Sequence, residues 1–74
     1  MYDLLVYIGR FQPFHAGHYH VVEEAAKISK NVLILMGSYG SRPNFNNPFS
    51  DIERAQMIHE ATREITSNIK IIGI

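Results

Sequence analysis

The sequence contains no cysteine. A disulfide framework, a thiolate zinc site, an iron–sulfur cluster and a cysteine nucleophile are all excluded. Small secreted domains usually need such staples, so the absence favours a reducing, cytoplasmic setting. The chain also lacks a net charge, with seven basic residues set against seven acidic ones. The basic footprint of a nucleic-acid or membrane-surface binder is missing, and neither is expected as a partner. A small anionic ligand needs only one or two placed cations and stays open. No stretch approaches the roughly 20 apolar residues of a membrane span. Met1-Tyr2-Asp3 leads straight into an apolar run that is too short and wrongly flanked for a signal peptide.

What is present suits one small folded unit. With 74 residues, the chain is one domain at most, and a chain this small buries only about 60% of its unfolded surface. Hydrophobic residues make up 46%, which is ordinary for a globular chain and argues against disorder. Leu4-Leu5-Val6-Tyr7-Ile8, ending at Gly9, reads as a strand buried on both faces. Gly9 to Gly17 has no period, and Pro13 forbids a regular strand, so this segment is a loop. Over residues 16–29 His18, Val21, Val22, Ala25, Ala26 and Ile28 recur at helical spacing, with Glu23, Glu24, Lys27 and Lys30 opposite. Lys27 and Lys30 fall in the last turn, where they complement the helix dipole, and Asn31 is placed to end the helix.

Val32-Leu33-Ile34-Leu35-Met36, closed by Gly37, reads as a second buried strand. Ser38 to Asn47 is a loop of Gly, Ser, Asn and Pro. Ser50-Asp51-Ile52-Glu53 fits a capping box that opens a helix over residues 51–64, with Ile52, Ala55, Met57, Ile58 and Ala61 facing inward. Asp51, Glu53, Arg54 and Arg63 read as its solvated face; the alternative is that Arg54 supports the neighbouring loop. Ile69 to Ile74 is a third apolar strand. This order predicts an α/β fold: a parallel three-stranded sheet with right-handed crossovers, a Rossmann-like βαβαβ half of a doubly wound fold. Such a half-sheet leaves an edge and much apolar surface uncovered. Residues 1–74 are therefore expected to be the N-terminal part of a larger domain, or to associate as a homo-oligomer.

The chemistry concentrates in Gly9-Arg10-Phe11-Gln12-Pro13-Phe14-His15-Ala16-Gly17-His18. In open parallel sheets ligands bind at the carboxyl ends of the strands. This loop also meets a helix N-terminus, which offers free N–H groups and a positive dipole end. Gly9 and Gly17 remove side chains where a ligand approaches the backbone. His15 and His18 fall about 60° apart on one helical face, and imidazoles there can donate to phosphate oxygens. Arg10 adds a fixed fork. The set reads as a phosphate clamp. Zinc on His15, His18 and His20 fares badly, because His20 lies about 140° and 160° around the helix from the other two. No protein ligand to a metal is expected. No Gly-x-Ser-x-Gly elbow, P-loop or dinucleotide fingerprint is present. A phosphate site without a nucleophile suits direct in-line transfer.

His15-Ala16-Gly17-His18 resembles the His-x-Gly-His signature of the nucleotidylyltransferase superfamily. With Gly9 to Phe14, and with Gly37-Ser38, Asn47-Pro48-Phe49-Ser50 and Glu53-Arg54, the chain looks like the nicotinamide mononucleotide adenylyltransferases of archaeal and bacterial type. These include bifunctional forms fused to a Nudix hydrolase. The resemblance implies that ATP and nicotinamide mononucleotide give NAD and pyrophosphate, with magnesium bound along with ATP. It implies that His15 and His18 hold the ATP phosphates and stabilise the developing charge. Arg10 would contact phosphate, and Gly9, Phe11, Gln12 and Gly17 would lie along the nucleotide. Ser38, Arg42, Asn46 and Asn47 are the candidates for the acceptor site. Relatives place a basic residue just before the Pro-Phe block, where this chain has the neutral Asn46 and Asn47. Relatives also carry a later Ser…Arg motif, and nothing after Asn68 matches it. Two alternatives stay open: a nucleotidylyltransferase with another phosphate acceptor, and a non-catalytic nucleotide-binding or self-associating module.

Overall fold

A computed structural model of the chain describes residues 1–40, 42–45 and 47–74. Strand β1 (Tyr2–Gly9) leads to helix α1 (Ala16–Ile28), which runs directly into β2 (Ser29–Met36). A long loop then reaches α2 (Asp51–Thr62) and β3 (Asn68–Gly73). The strands form one parallel sheet in the order β1-β2-β3, as the alternation of patterns predicts. Parallel neighbours cannot be joined by a tight turn, so each connection carries a helix.

The register sorts the side chains into two faces, because successive residues of a strand alternate. On one face the rungs are Leu5, Val32 and Ile69, then Tyr7, Ile34 and Ile71, then Gly9, Met36 and Gly73. Val32, Ile34 and Met36 are buried there, and Val22 of α1 and Ile58 of α2 join them in one core with Phe11 and Phe14. Both helices therefore cover the same face. The opposite face carries Val6, Leu33 and Lys70, then Ile8, Leu35 and Ile72. It lies open: Val6 is 50% exposed and Ile8 62%. The expectation that the strands are buried on both sides is thus corrected. Their apolar runs suit a two-sided sheet, but both crossovers pack on one side. At the amino end of the open face Asn31 Nδ2 donates to the Asp3 carbonyl at 2.8 Å, and Asn68 Nδ2 donates to Asn31 Oδ1 at 3.0 Å. These bonds tie the three strands across one rung.

The helix ends differ from the sequence reading for local reasons. Helix α1 stops at Ile28, before Asn31, because the buried Ser29 turns extended and its Oγ donates to the carbonyl of Ala25 at 2.9 Å. Lys30 consequently lies in β2, beside Asp3, and Lys27 is the basic residue of the last helical turn. Val21 and Ile28, expected inside, are exposed; Val22, Ala25 and Ala26 face the core, with Tyr19 beside them. In α2, Ile52 and Ala61 are exposed while Arg54, Ile58 and Thr62 are buried. Residues four apart share a helical face, so the inward stripe begins with an arginine. Among the described residues, no helix is long and apolar enough to cross a membrane.

Candidate active site

The loops after β1 and β2 meet at the carboxyl end of the sheet, where the Gly37 N–H donates to the Gly9 carbonyl at 2.8 Å. Here α1 starts with His15 as its N-cap. His15 Nδ1 accepts from the Gly17 N–H at 3.1 Å, and His18 Nδ1 accepts from the His15 N–H at 3.1 Å. This is a capping box built from two imidazoles. Helix α2 makes the same device with Ser50 and Glu53. An imidazole nitrogen that accepts a hydrogen bond carries no proton, so the bonding pattern assigns the proton of each ring to Nε2. Neither Nε2 has a hydrogen-bond partner among the described residues. The loop thus holds two donors ready for an anion at a helix N-terminus.

The two rings stack, with centroids 3.8 Å apart. His15 is exposed; His18 is half-buried, edge-on to Phe11 at 5.0 Å and stacked on Phe14 at 5.5 Å. Burial, and then the neighbouring His15, hold the His18 imidazole below its ordinary pKa. At neutral pH His18 is therefore uncharged and available as a hydrogen-bond donor.

The glycines of the loop do something other than leave open space. A Cβ on Gly9 would lie 2.9 Å from the Phe11 ring, and one on Gly17 would lie 3.0 Å from His15 Cε1. Each glycine makes room for a neighbouring ring of the chain itself. Phe11 is 2% exposed, so its side chain belongs to the core. Gln12 is also committed: its Nε2 donates to the Phe49 carbonyl at 3.0 Å and its Oε1 accepts from the Phe49 N–H at 2.8 Å. This amide-to-peptide clamp ties the first loop to the segment that enters α2. Arg10 is exposed, with its stem over Gly37.

The expectation that Arg54 lies on the solvated face of α2 is corrected by the structure. Arg54 is 1% exposed, ion-paired with Asp51, and donates to the carbonyls of Arg10, Gly37 and Ser38. The alternative, that Arg54 supports the loop, is the one the structure shows. Its Nε has no partner. The signal was in the sequence, since Arg54 shares the four-residue spacing of Ile58 and Thr62. Its charge spoke against an inward position.

Gly9, Arg10, Phe11, Gly17, His15 and His18 thus come together, with Ser38 joined to them through Arg54. Arg42 is exposed, and Asn47 closes a local turn with Asn44. No hydrogen bond or ion pair links either to the histidines among the described residues. Asn46 lies outside the described residues. His20 stands apart on α1 near Glu23, away from the stacked pair.

A three-stranded parallel sheet with two crossover helices on one face matches the half-Rossmann fold of the nucleotidyltransferases. The chain belongs to the cytidylyltransferase-like family, whose sequence profile matches residues 6–72. It is similar to a nicotinamide-nucleotide adenylyltransferase of Halorubrum lacusprofundi, 38% identical over 92% of this chain and 39% of that protein. It is also similar to a nicotinamide/nicotinic acid mononucleotide adenylyltransferase of Acinetobacter baylyi, 46% identical over 77% of this chain and 30% of that protein. Among solved structures it matches a bifunctional NMN adenylyltransferase/ADP ribose pyrophosphatase of Francisella tularensis complexed with AMP and a manganese ion. That match has a TM-score of 0.87 and 44% identity, over 100% of this chain and 23% of that one. The chain thus spans well under half the length of these relatives.

Proposed function

We propose that this chain forms the ATP-phosphate-binding half of an adenylyltransferase acting on nicotinamide mononucleotide. The observation that carries the reading is the imidazole capping box, which presents two Nε2–H donors at a helix N-terminus. In the reaction, a phosphate oxygen of the mononucleotide attacks the α-phosphorus of ATP. The bond from that phosphorus to the bridging oxygen breaks, NAD forms, and pyrophosphate leaves. No protein nucleophile is required, so catalysis rests on positioning and on donors aimed at developing charge. His15 and His18 supply those donors, and Arg10 adds a cation. The backbone from Gly9 to Gln12, with Gly17, lies along the nucleotide. Ser38, Arg42 and Asn47, together with Asn46, are candidates for the acceptor side.

The donor set does not fit a protein-held magnesium ion, which wants oxygen ligands. Asp51 is engaged by Arg54 and the Gly40 N–H. Magnesium would be carried by the ATP phosphates and would help neutralise their charge. The names of the relatives support the choice of acceptor, and a cytoplasmic setting belongs to the same reading.

The test is an assay of the complete gene product with ATP, magnesium and a panel of acceptors: nicotinamide mononucleotide, nicotinic acid mononucleotide, phosphopantetheine and sugar phosphates. NAD formation with stoichiometric pyrophosphate is expected. Adenylyl transfer to phosphopantetheine or a sugar phosphate, but to neither pyridine mononucleotide, would refute the acceptor assignment.

A further inference from the structure

Among the described residues, two other than glycine sit in the left-handed backbone region, Phe11 at φ 54° and Ser38 at φ 58°. Each lies two residues beyond a strand, one in each loop of the site. Left-handed geometry is disfavoured by contact between Cβ and the backbone, and for a bulky residue such as phenylalanine it is a genuine outlier. Such conformations persist only where the surroundings over-determine them.

The peptide groups that precede these two residues share one partner. Arg54 Nη1 donates to the Arg10 carbonyl at 3.0 Å and to the Gly37 carbonyl at 2.6 Å. With the Phe11 ring packed in the core, a return of φ to negative values would swing the Arg10 carbonyl away from Nη1. The same holds for the Gly37 carbonyl and Ser38. Asp51 accepts from Nη2 and keeps the guanidinium in plane. One planar cation thus holds two left-handed turns in two separate loops.

We propose that Arg54 is a positioning residue of the triphosphate site, locking the loops after β1 and β2 in the geometry that aims Arg10 and Ser38 at the ligand. This rests on the nucleotide reading above. Arg54 touches no reacting atom; it acts through the two carbonyls. Lysine keeps the charge but lacks the second nitrogen, Nη2, that pairs with Asp51 while Nη1 holds both carbonyls.

The experiment uses the complete gene product, its Arg54→Lys variant, and both in a Ser38→Gly background, where the left-handed turn carries no Cβ penalty. Two readouts are taken. The first is the intense intraresidue HN–Hα nuclear Overhauser signal that a positive φ gives at Phe11 and, in the serine background, at Ser38. The second is kcat/KM for ATP. Arg54→Lys should weaken both signals and lower kcat/KM on the order of 10–100-fold, the scale of small misplacements in an active site. The loss should be several-fold smaller in the glycine background. Retention of both positive-φ signals in Arg54→Lys, or an equal loss of kcat/KM in both backgrounds, would overturn the proposal. Should Arg54→Lys fail to fold, Asp51→Asn leaves the guanidinium in place and is judged by the same two outcomes. A wild-type protein that turns over no ATP strikes the nucleotide reading, and the amide signals still decide whether Arg54 holds the two turns.

Discussion

The double capping role of His15 and His18 can be separated from their proposed chemistry by changing both at once. The pair His15→Ser with His18→Glu would rebuild on α1 the box that Ser50 and Glu53 form on α2. Alanine at an N-cap costs typically about 1 kcal/mol. His18→Ala removes the acceptor for the His15 N–H and also the ring packed on Phe11 and Phe14, where one aromatic pair is worth about 0.5–1.5 kcal/mol. A loss of roughly 2 kcal/mol follows, about twice what a cap alone would cost. In the complete gene product, at about 2–4 °C per kcal/mol for a domain of 150–250 residues, the melting temperature should fall by roughly 4–8 °C. The Ser/Glu pair restores the cap but not the rings, and should recover about half of that fall. Activity should behave differently. Losing one preorganised donor costs on the order of 10²–10³ in kcat, and the Ser/Glu variant loses both imidazoles. Thermal melts and ATP-dependent NAD formation on the same preparations decide the matter. A Ser/Glu variant that regains activity in step with its melting temperature would show that the histidines serve only to start the helix.

Other expectations follow from single contacts. Because His18 is held below its ordinary pKa of 6.5, the unfolded chain takes up the proton first as pH falls. The contribution of His18 to stability is complete above about pH 6.5 and is lost as pH falls through its folded-state pKa. Chemical denaturation between pH 8 and 5 should show this slope, and His18→Gln should flatten it. Gln12→Ala removes both bonds to Phe49 and should cost about 1–3 kcal/mol, measured by urea titration; a change below 0.5 kcal/mol would contradict the clamp. A Cβ at position 73 would lie 1.8 Å from the Tyr39 ring, so Gly73→Ala should destabilise by about 1–3 kcal/mol through overpacking. Tyr39→Ala should remove most of that penalty in the same melts. The open face bearing Val6 and Ile8 should drive self-association of the isolated 74-residue chain. Sedimentation should show a concentration-dependent mass that Val6→Lys abolishes, and a constant monomer mass would count against it.

The alternation of apolar runs made the sheet order and both helices legible, because buried parallel strands and amphipathic helices write different periods. What the runs could not show was which face each crossover covers. Val6 and Ile8 have the composition of buried residues and lie open, since α1 and α2 pack on one side. The end of α1 was misplaced because Ser29, a residue without strong strand preference, makes the turn through its own hydroxyl. His15 and His18 were legible as a pair from their spacing and their place after a strand. Their Nδ1 hydrogen bonds were not, because a histidine cap leaves no compositional mark of its own. The inward place of Arg54 and the side-chain bonds of Gln12 were not legible for a related reason. Polar side chains are assigned to solvent or ligand by default, whereas both side chains here bond backbone groups of the partner loop.

The most direct test of the donor-pair account is nitrogen NMR on the complete gene product labelled with ¹⁵N in histidine, with and without magnesium ATP. In the neutral rings of His15 and His18 the proton should sit on Nε2, and ATP should shift both Nε2 resonances while leaving each Nδ1 an acceptor. A proton on Nδ1 of either neutral ring in the free protein, or Nε2 resonances unmoved by saturating ATP, would contradict it.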